Sequence, residues 1–254
     1  MAMLELVELR KQFGELVAVN DINLSIEKGE LRGLIGPNGS GKTTLFSLIT
    51  GFMRPTKGEV LWEGHDITQK PPHSRAEIGI VRTFQITTLF KEMTALQNVI
   101  MAYHLHTEMG LLKQFFGTRA TRERERFLEQ KALGVLETLG IADVRGEIVK
   151  NLPHGHQEAL ALAIAMATEP KLLLLDEPVT GMNHVETRDM MKRIRMLNEQ
   201  GITILLVEHD MRAVMGICRK LTVVNFGQRI AEGSPEEIMN NKDVVEAYLG
   251  VGGR

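Results

Sequence analysis

The stretch "LRGLIGPNGSGKTTLF", Leu31 to Phe46, decides how the rest of the chain is read. Its opening, "LRGLIG", is a short apolar run that breaks at a glycine, as a strand does on entering a turn. "GPNGSGKT", Gly36 to Thr43, fits the spacing G-x-x-x-x-G-K-[ST]. "KTTLFSLITGFM" then reads as a helix ending near Gly51. Strand, glycine-rich turn and helix in that order form a phosphate cradle. Glycines let backbone N–H groups converge on anionic oxygens, and the helix N-terminus adds its positive dipole. In this reading Lys42 reaches β- and γ-phosphates and Thr43 ligates Mg²⁺. An ordinary Gly-rich turn is the competing reading, and the correct flanking elements weigh against it.

Downstream, "KLLLLDEPVTGMN" begins at Lys171. Four leucines make a buried strand that delivers Asp176 and Glu177 to its C-terminal edge, where ligands bind in sheets of this kind. Asp176 can hold Mg²⁺ through water, and Glu177 can orient or deprotonate an attacking water. Alone, the pair could be a helix-capping cluster. With a phosphate cradle upstream, chemistry is the better reading.

Composition bounds the alternatives. The chain has 254 residues, long enough for one large domain or a core with an inserted subdomain. Hydrophobic residues are 43%, enough for a sizeable core, and charged residues are 24%. A formal net charge of -2 gives no bulk attraction to nucleic acid. Cys218 is the only cysteine, so no internal disulfide is possible and a reducing compartment fits. The start "MAMLELVELRKQF" has no signal-peptide shape, and no 18-residue apolar run suggests a membrane span. The 14 methionines are expected to fill core, with an adaptable partner groove as the alternative.

Further outward, residues 3–30 alternate apolar and polar side chains, the pattern of antiparallel strands. "RPTKG" reads as a turn and "GEVLWEG" as a strand. From about Leu89 to Leu152 no strand pattern is convincing. There "RERERFLEQKALGVLETLG" carries Leu128, Ala132, Val135, Leu136 and Leu139 at helical spacing, a core stripe under a solvated face. After Pro170 strands return in "KLLLLDEP", "GITILLVEHD" and "KLTVVNFGQRIAEG", with a helix over Val185–Gln200 between them. Ser234-Pro235-Glu236-Glu237 carries a capping box with Ser234 as N-cap and Pro235 at N1. Apolar strands alternating with helices predict an α/β fold around a buried parallel sheet, with the helical insert embedded in it.

These residues together resemble the ATP-binding cassette (ABC) family, the nucleotide-binding subunits of ABC transporters, over nearly the whole chain. The resemblance implies a P-loop, RecA-like core with an antiparallel β subdomain and an inserted α-helical subdomain. The catalytic core is expected over 1–88 and 168–254 and the insert over 89–167. It implies ATP and Mg²⁺ as ligands. Gly36, Pro37, Asn38, Gly39, Ser40, Gly41, Lys42, Thr43 and Thr44 match the phosphate loop. Gln85 in "VRTFQ" matches the Q-loop glutamine, a Mg²⁺ and water contact that senses the membrane subunit. Asp176 and Glu177 match the metal and catalytic carboxylates, "GMN" (Gly181–Asn183) the D-loop, and His209 in "VEHD" the switch histidine. Phe13 in "KQFGELVAV" matches the aromatic that stacks on adenine. Read singly, Gln85 is a loop amide, His209 a structural strand end and Phe13 a core residue; their order carries the resemblance.

"LPHGHQ", Leu152 to Gln157, sits where the family has its LSGGQ signature, a helix start that faces the partner subunit's ATP. Pro153 replaces the serine, His154 the first glycine and His156 the first glutamine, while Gly155 is kept. A proline offers neither hydroxyl nor N–H. Either the stretch has drifted to a plain helix start, or an imidazole supplies the lost contact, its charge varying near neutral pH. A zinc pair, here or at His104-x-His106, is disfavoured because no further cysteine or histidine lies nearby in sequence. His65, His73 and His184 are expected on the surface.

A closer resemblance, carried by "AVNDINLSIEKGE", the "LLLLDEP…GMN" run and the insert stretch "GLLKQFFGTRATRERER", is to ATPases of branched-chain amino-acid importers, the longer of their two. It implies a peripheral subunit on the cytoplasmic face of the membrane. Its partners would be a second ATPase, two membrane permease subunits and, indirectly, an extracytoplasmic solute-binding protein. Urea or amide import and lipid or lipopolysaccharide export share the pattern. A soluble switch protein acting on ribosomes or DNA is the rival from another class; a single P-loop and no basic surplus speak against it.

Overall fold

The computed structural model describes residues 2–83, 89–106, 119–209 and 211–249. Gln85 and residues 110–118 of the insert stretch lie outside them. In chain order the elements are β1 (Ala2–Phe13), β2 (Leu16–Glu27), β3 (Leu31–Ile35), α1 (Lys42–Ile49), β4 (Lys57–Trp62), β5 (His65–Asp66), α2 (Pro72–Glu77) and β6 (Ile80–Thr83). Then come α3 (Ala95–His106), α4 (Arg119–Thr138), α5 (His154–Met166), β7 (Leu172–Asp176), α6 (His184–Glu199), β8 (Thr203–Val207) and α7 (Met211–Met215). β9 (Lys220–Asn225), β10 (Gln228–Gly233), α8 (Pro235–Met239) and α9 (Lys242–Leu249) complete the chain. Contacts divide it into two compact units, Met1–Arg82 with Lys171–Arg254, and Thr83–Pro170.

The first unit holds two sheets. β2-β1-β4-β5 is antiparallel, with Leu6 opposite Leu24 on one side and Val60 on the other. The second sheet runs β10-β9-β3-β8-β7-β6. Its centre is parallel, and β3, β8 and most of β7 are buried, which is why they read as unbroken apolar runs rather than alternating ones. "KLTVVNFGQRIAEG" is not one strand but an antiparallel hairpin, turning at Phe226 and Gly227 with positive φ at both. Leu45, Phe46, Leu48 and Ile49 of α1 share one cluster with Leu34, Leu174, Leu205 and Val207 and with Leu4, Leu6, Leu24 and Trp62 of the antiparallel sheet. Each such side chain contributes about 1.5–3 kcal/mol on burial.

One buried cation closes the end of α1. Arg75, 1% exposed, donates Nη1 to the carbonyls of Leu48 and Ile49, 2.7 Å each, and its remaining nitrogens to those of Lys70 and Thr68. The Leu48 and Ile49 carbonyls belong to the last turn of α1, and a cation there complements the helix dipole. Burial pulls the Arg75 pKa down to about 10, with Asp66 opposing. The Ser234 capping box is formed as its sequence predicts, with Pro235 at the helix start. Met3, Met190 and Met191 are buried, whereas Met239 is 55% exposed, so methionines fill core without all doing so. His65, His73 and His184 are exposed.

In the second unit α3, α4 and α5 pack together. Leu128, Ala132, Leu136 and Leu139 are buried along α4, as the helical spacing predicts, and Val135 is half-buried. Lys131 lies over the rings of Tyr103 and Phe127 and pairs with Glu169 at 2.8 Å. Thr94 and Ile148 form one isolated antiparallel bridge in this helical unit.

Candidate active site

Strand register in the first unit gathers the chemistry. Leu34 of β3 and Asp176 of β7 both align with Val207 of β8. Gly36, Glu177 and His209 therefore leave the parallel sheet at one edge, as open α/β sheets arrange their ligand sites.

The phosphate loop is held by backbone contacts that only glycine allows. A Cβ on Gly36 would lie 2.0 Å from the Val224 carbonyl oxygen, and one on Gly41 would lie 2.4 Å from that of Ala18. Both residues have positive φ. The loop is braced from the hairpin, where Gly227 N–H donates to the Ser40 carbonyl at 3.0 Å. Gly41 is the N-cap of α1 and supplies no side-chain cap, so the first N–H groups of that helix have no side-chain acceptor there. An uncapped helix start behind a glycine nest fits an anion.

Lys42 is 6% exposed, and its ammonium donates to the carbonyls of Gly36 at 2.7 Å and Pro37 at 2.9 Å. Burial pulls its pKa below the ordinary lysine range, while Glu177 and Asp176 pull it back up. The cradle lysine and the two carboxylates thus share one electrostatic field. Thr43 is exposed beside it and Thr44 half-buried.

Glu177 sits with φ 50, a left-handed conformation that costs a non-glycine residue about 1 kcal/mol or more. Its N–H donates to the Val207 carbonyl at 2.9 Å, and its own carbonyl accepts from Thr180 N–H at 3.2 Å. Strain held by flanking hydrogen bonds is typical of residues aimed at a reaction centre. His209 Nδ1 is 3.8 Å from Glu177 Oε2, and its side chain is 57% exposed.

Arg82 was not among the residues singled out from the sequence. Its Nη2 pairs with Asp176 Oδ2, its Nη1 reaches Ser47 Oγ at 3.4 Å, and its guanidinium lies over the Phe46 ring. No spacing rule marks it, since it lies 94 residues from Asp176. Asn183 at the D-loop position caps α6 in a capping box with Glu186. Phe13 is 45% exposed at the tip of the β1–β2 hairpin, opposite Leu16, with the Lys11 ammonium 5.1 Å from its ring. Two residues past Leu16, Ala18 touches the loop at Gly41.

The signature stretch belongs to the second unit. Pro153 is the N-cap of α5 and His154 its first helical residue; proline caps nothing with its side chain. Its carbonyl accepts from the N–H groups of His156 and Gln157. Pro153 and His154 are exposed, Gly155 and His156 half-buried. Burial pushes the Glu158 carboxyl up, with His154 one turn away opposing.

Known proteins resemble this chain in sequence and in fold. The family model for the ABC transporter matches residues 19–180, and that for the branched-chain amino acid ATP-binding cassette transporter matches residues 228–254. The chain is 43% identical to the high-affinity branched-chain amino acid transport ATP-binding protein BraF of Pseudomonas aeruginosa, over 98% of both chains. The solved ADP conformation of an ATP-binding cassette of an ABC transporter matches with a TM-score of 0.86 at 33% identity, over 98% of this chain and 99% of that one. A dimeric bacterial ABC transporter cassette matches at 0.76 and 25% identity, over 92% and 99%. The chain belongs to the ABC transporter family and is an ATP-binding cassette of it, with the α/β P-loop fold that its sequence predicts. Among the described residues no helix is long and apolar enough to cross a membrane.

Proposed function

We propose that the chain is the ATP-hydrolysing subunit of an importer for branched-chain or related amino acids. It works at the cytoplasmic face of the membrane, bound to two permease subunits and paired with a second, different ATPase, and a solute-binding protein delivers the substrate. The catalytic core spans 1–88 and 168–254 and the helical subdomain 89–167. The observation that carries the catalytic part is the shared edge of the parallel sheet, where the register of β3, β7 and β8 brings the phosphate loop, Asp176, Glu177 and His209 out together. The amino-acid assignment rests on the relatives, which cover almost the full length.

In this reading Gly36 to Thr44 cradle the phosphates, and Phe13 stacks on adenine. Lys42 and His209 stabilise the charge of the transferring group, and Glu177 holds and deprotonates the attacking water. The oxygen donors of Thr43 and Asp176 suit a hard divalent cation, with Gln85 as a third contact. Bound Mg²⁺ supplies charge neutralisation at the phosphates. His154, Gly155 and His156 face the nucleotide of the partner ATPase.

The test is to purify the tagged chain with its membrane subunits, reconstitute the complex in liposomes, and add the co-isolated binding protein with single amino acids. ATP turnover and uptake stimulated by leucine, isoleucine or valine are expected. Stimulation by urea or amides alone, or capture of lipid-export membrane subunits, would overturn the amino-acid assignment. Recovery with ribosomes and no membrane subunit would overturn the transport role.

A further inference from the structure

Among the described residues Glu208 is the only acidic residue that is fully buried, at 0% exposure. It follows the five buried residues of β8, four of them apolar, and precedes His209. A carboxylate there is costly unless both oxygens find donors. They do. Oε1 accepts from the Val179 N–H at 3.1 Å, and Oε2 accepts from the His209 N–H at 3.3 Å. Burial pushes the Glu208 carboxyl up, the two amides and His209 oppose this, and Glu177 adds to the rise.

Each donor belongs to a segment that carries a reacting group. Val179 lies two residues past Glu177, in the turn closed by Thr180 N–H on the Glu177 carbonyl. The other side of Glu177 is tied to β8 through the Val207 carbonyl. The His209 ring spans the gap, with Nδ1 3.8 Å from Glu177 Oε2 and 3.9 Å from Glu208 Oε2. Glu208 therefore ties its own strand end, with His209, to a segment that starts 29 residues earlier at Val179. A glutamine could not replace it, because an amide offers one acceptor oxygen and would turn its NH₂ toward an N–H.

We propose that Glu208 is a positioning residue for hydrolysis, fixing the backbone after Glu177 and the backbone of His209 at a set separation. It touches neither nucleotide nor water and acts through those two residues. The inference rests on the roles given above to Glu177 and His209. Loss of the second anchor loosens the gap between them, and small misplacements of catalytic groups are costly in rate.

The test uses the full chain for nucleotide binding and its membrane complex for turnover. Glu208→Gln is expected to lower kcat about ten- to a hundred-fold, with ATP affinity held within about twofold because the phosphate loop is untouched. In a His209→Ala background the same change should cost less than about twofold, since residues acting as one unit are not additive. Equal losses in both backgrounds, or wild-type turnover in Glu208→Gln, overturn the inference. A loss of ATP affinity in step with turnover does so too, since it marks a structural role only. Should the variant not fold, hydrogen exchange in the wild-type chain decides: the Val179 amide should be protected about a hundredfold or more over free peptide, and free exchange overturns the anchor. A wild type without ATP turnover overturns the functional reading together with this one, whereas wild-type turnover in Glu208→Gln overturns this one alone.

Discussion

Arg82 Nη2 lies 2.5 Å from Asp176 Oδ2, with the side chains 11% and 9% exposed. The pair joins β6 to the end of β7 and, through Ser47 and Phe46, to the helix behind the phosphate loop. The carboxylate proposed for Mg²⁺ already has a counter-charge in the protein. Removing one partner of a pair this buried leaves an uncompensated charge, at about 3 kcal/mol. Arg82→Met should melt several degrees below wild type without nucleotide. Mg²⁺ with ATP should raise its melting temperature more than that of wild type, since Asp176 is then open to another cation. Melts with and without Mg²⁺ and ATP check this, and identical curves for both proteins would contradict it.

Glu177→Gln should keep ATP binding and lose most turnover. The amide cannot accept the proton of the attacking water, yet the left-handed backbone at this position is left as it is. Steady-state hydrolysis in the assembled complex is the measurement, and near-wild-type rates would remove Glu177 from the water-activating role.

Lys42→Ala should weaken nucleotide binding itself. The change removes a charge-assisted contact to phosphate and the two hydrogen bonds that pin the Gly36 and Pro37 carbonyls. Titration with a fluorescent ATP analogue reads the loss, and an unchanged affinity would argue against a phosphate contact.

Phe13→Ala should lose about 1–2 kcal/mol of nucleotide affinity, by analogy with bases stacked on aromatic side chains. Phe13→Trp should keep most of it. Because Phe13 is 45% exposed, neither change should unfold the protein. Equal affinity in all three would leave the ring as hairpin surface.

Pro153 tests the variant signature. Loss of one γ-phosphate donor costs on the order of 2–4 kcal/mol of transition-state stabilisation. If His154 or His156 replaces it, Pro153→Ser changes little and one His→Ala change cuts turnover sharply. If neither does, Pro153→Ser speeds hydrolysis. Compensation is the expected outcome, because two histidines flank the one retained glycine. Turnover at this composite site is read with the other site silenced by a Glu→Gln change. Wild-type rates in all three variants would reduce the stretch to a helix start.

Local order made much of this protein legible in its sequence. The phosphate loop, the strand delivering Asp176 and Glu177, the α4 stripe and the Ser234 cap each depend on neighbours a few residues apart, and spacing records such neighbours directly. What the tertiary structure alone decided are contacts with no local trace. Arg82 meets Asp176 because β6 and β7 share a sheet edge. Glu208 meets Val179 because β7 and β8 end in register. The glycines of the loop are required by the carbonyls of Val224 and Ala18, which arrive from distant strands. A strand's pattern tells how it is buried, but not which strand lies beside it, and it is the neighbouring strand that supplies the counter-charge, the anchor and the wall of the cradle.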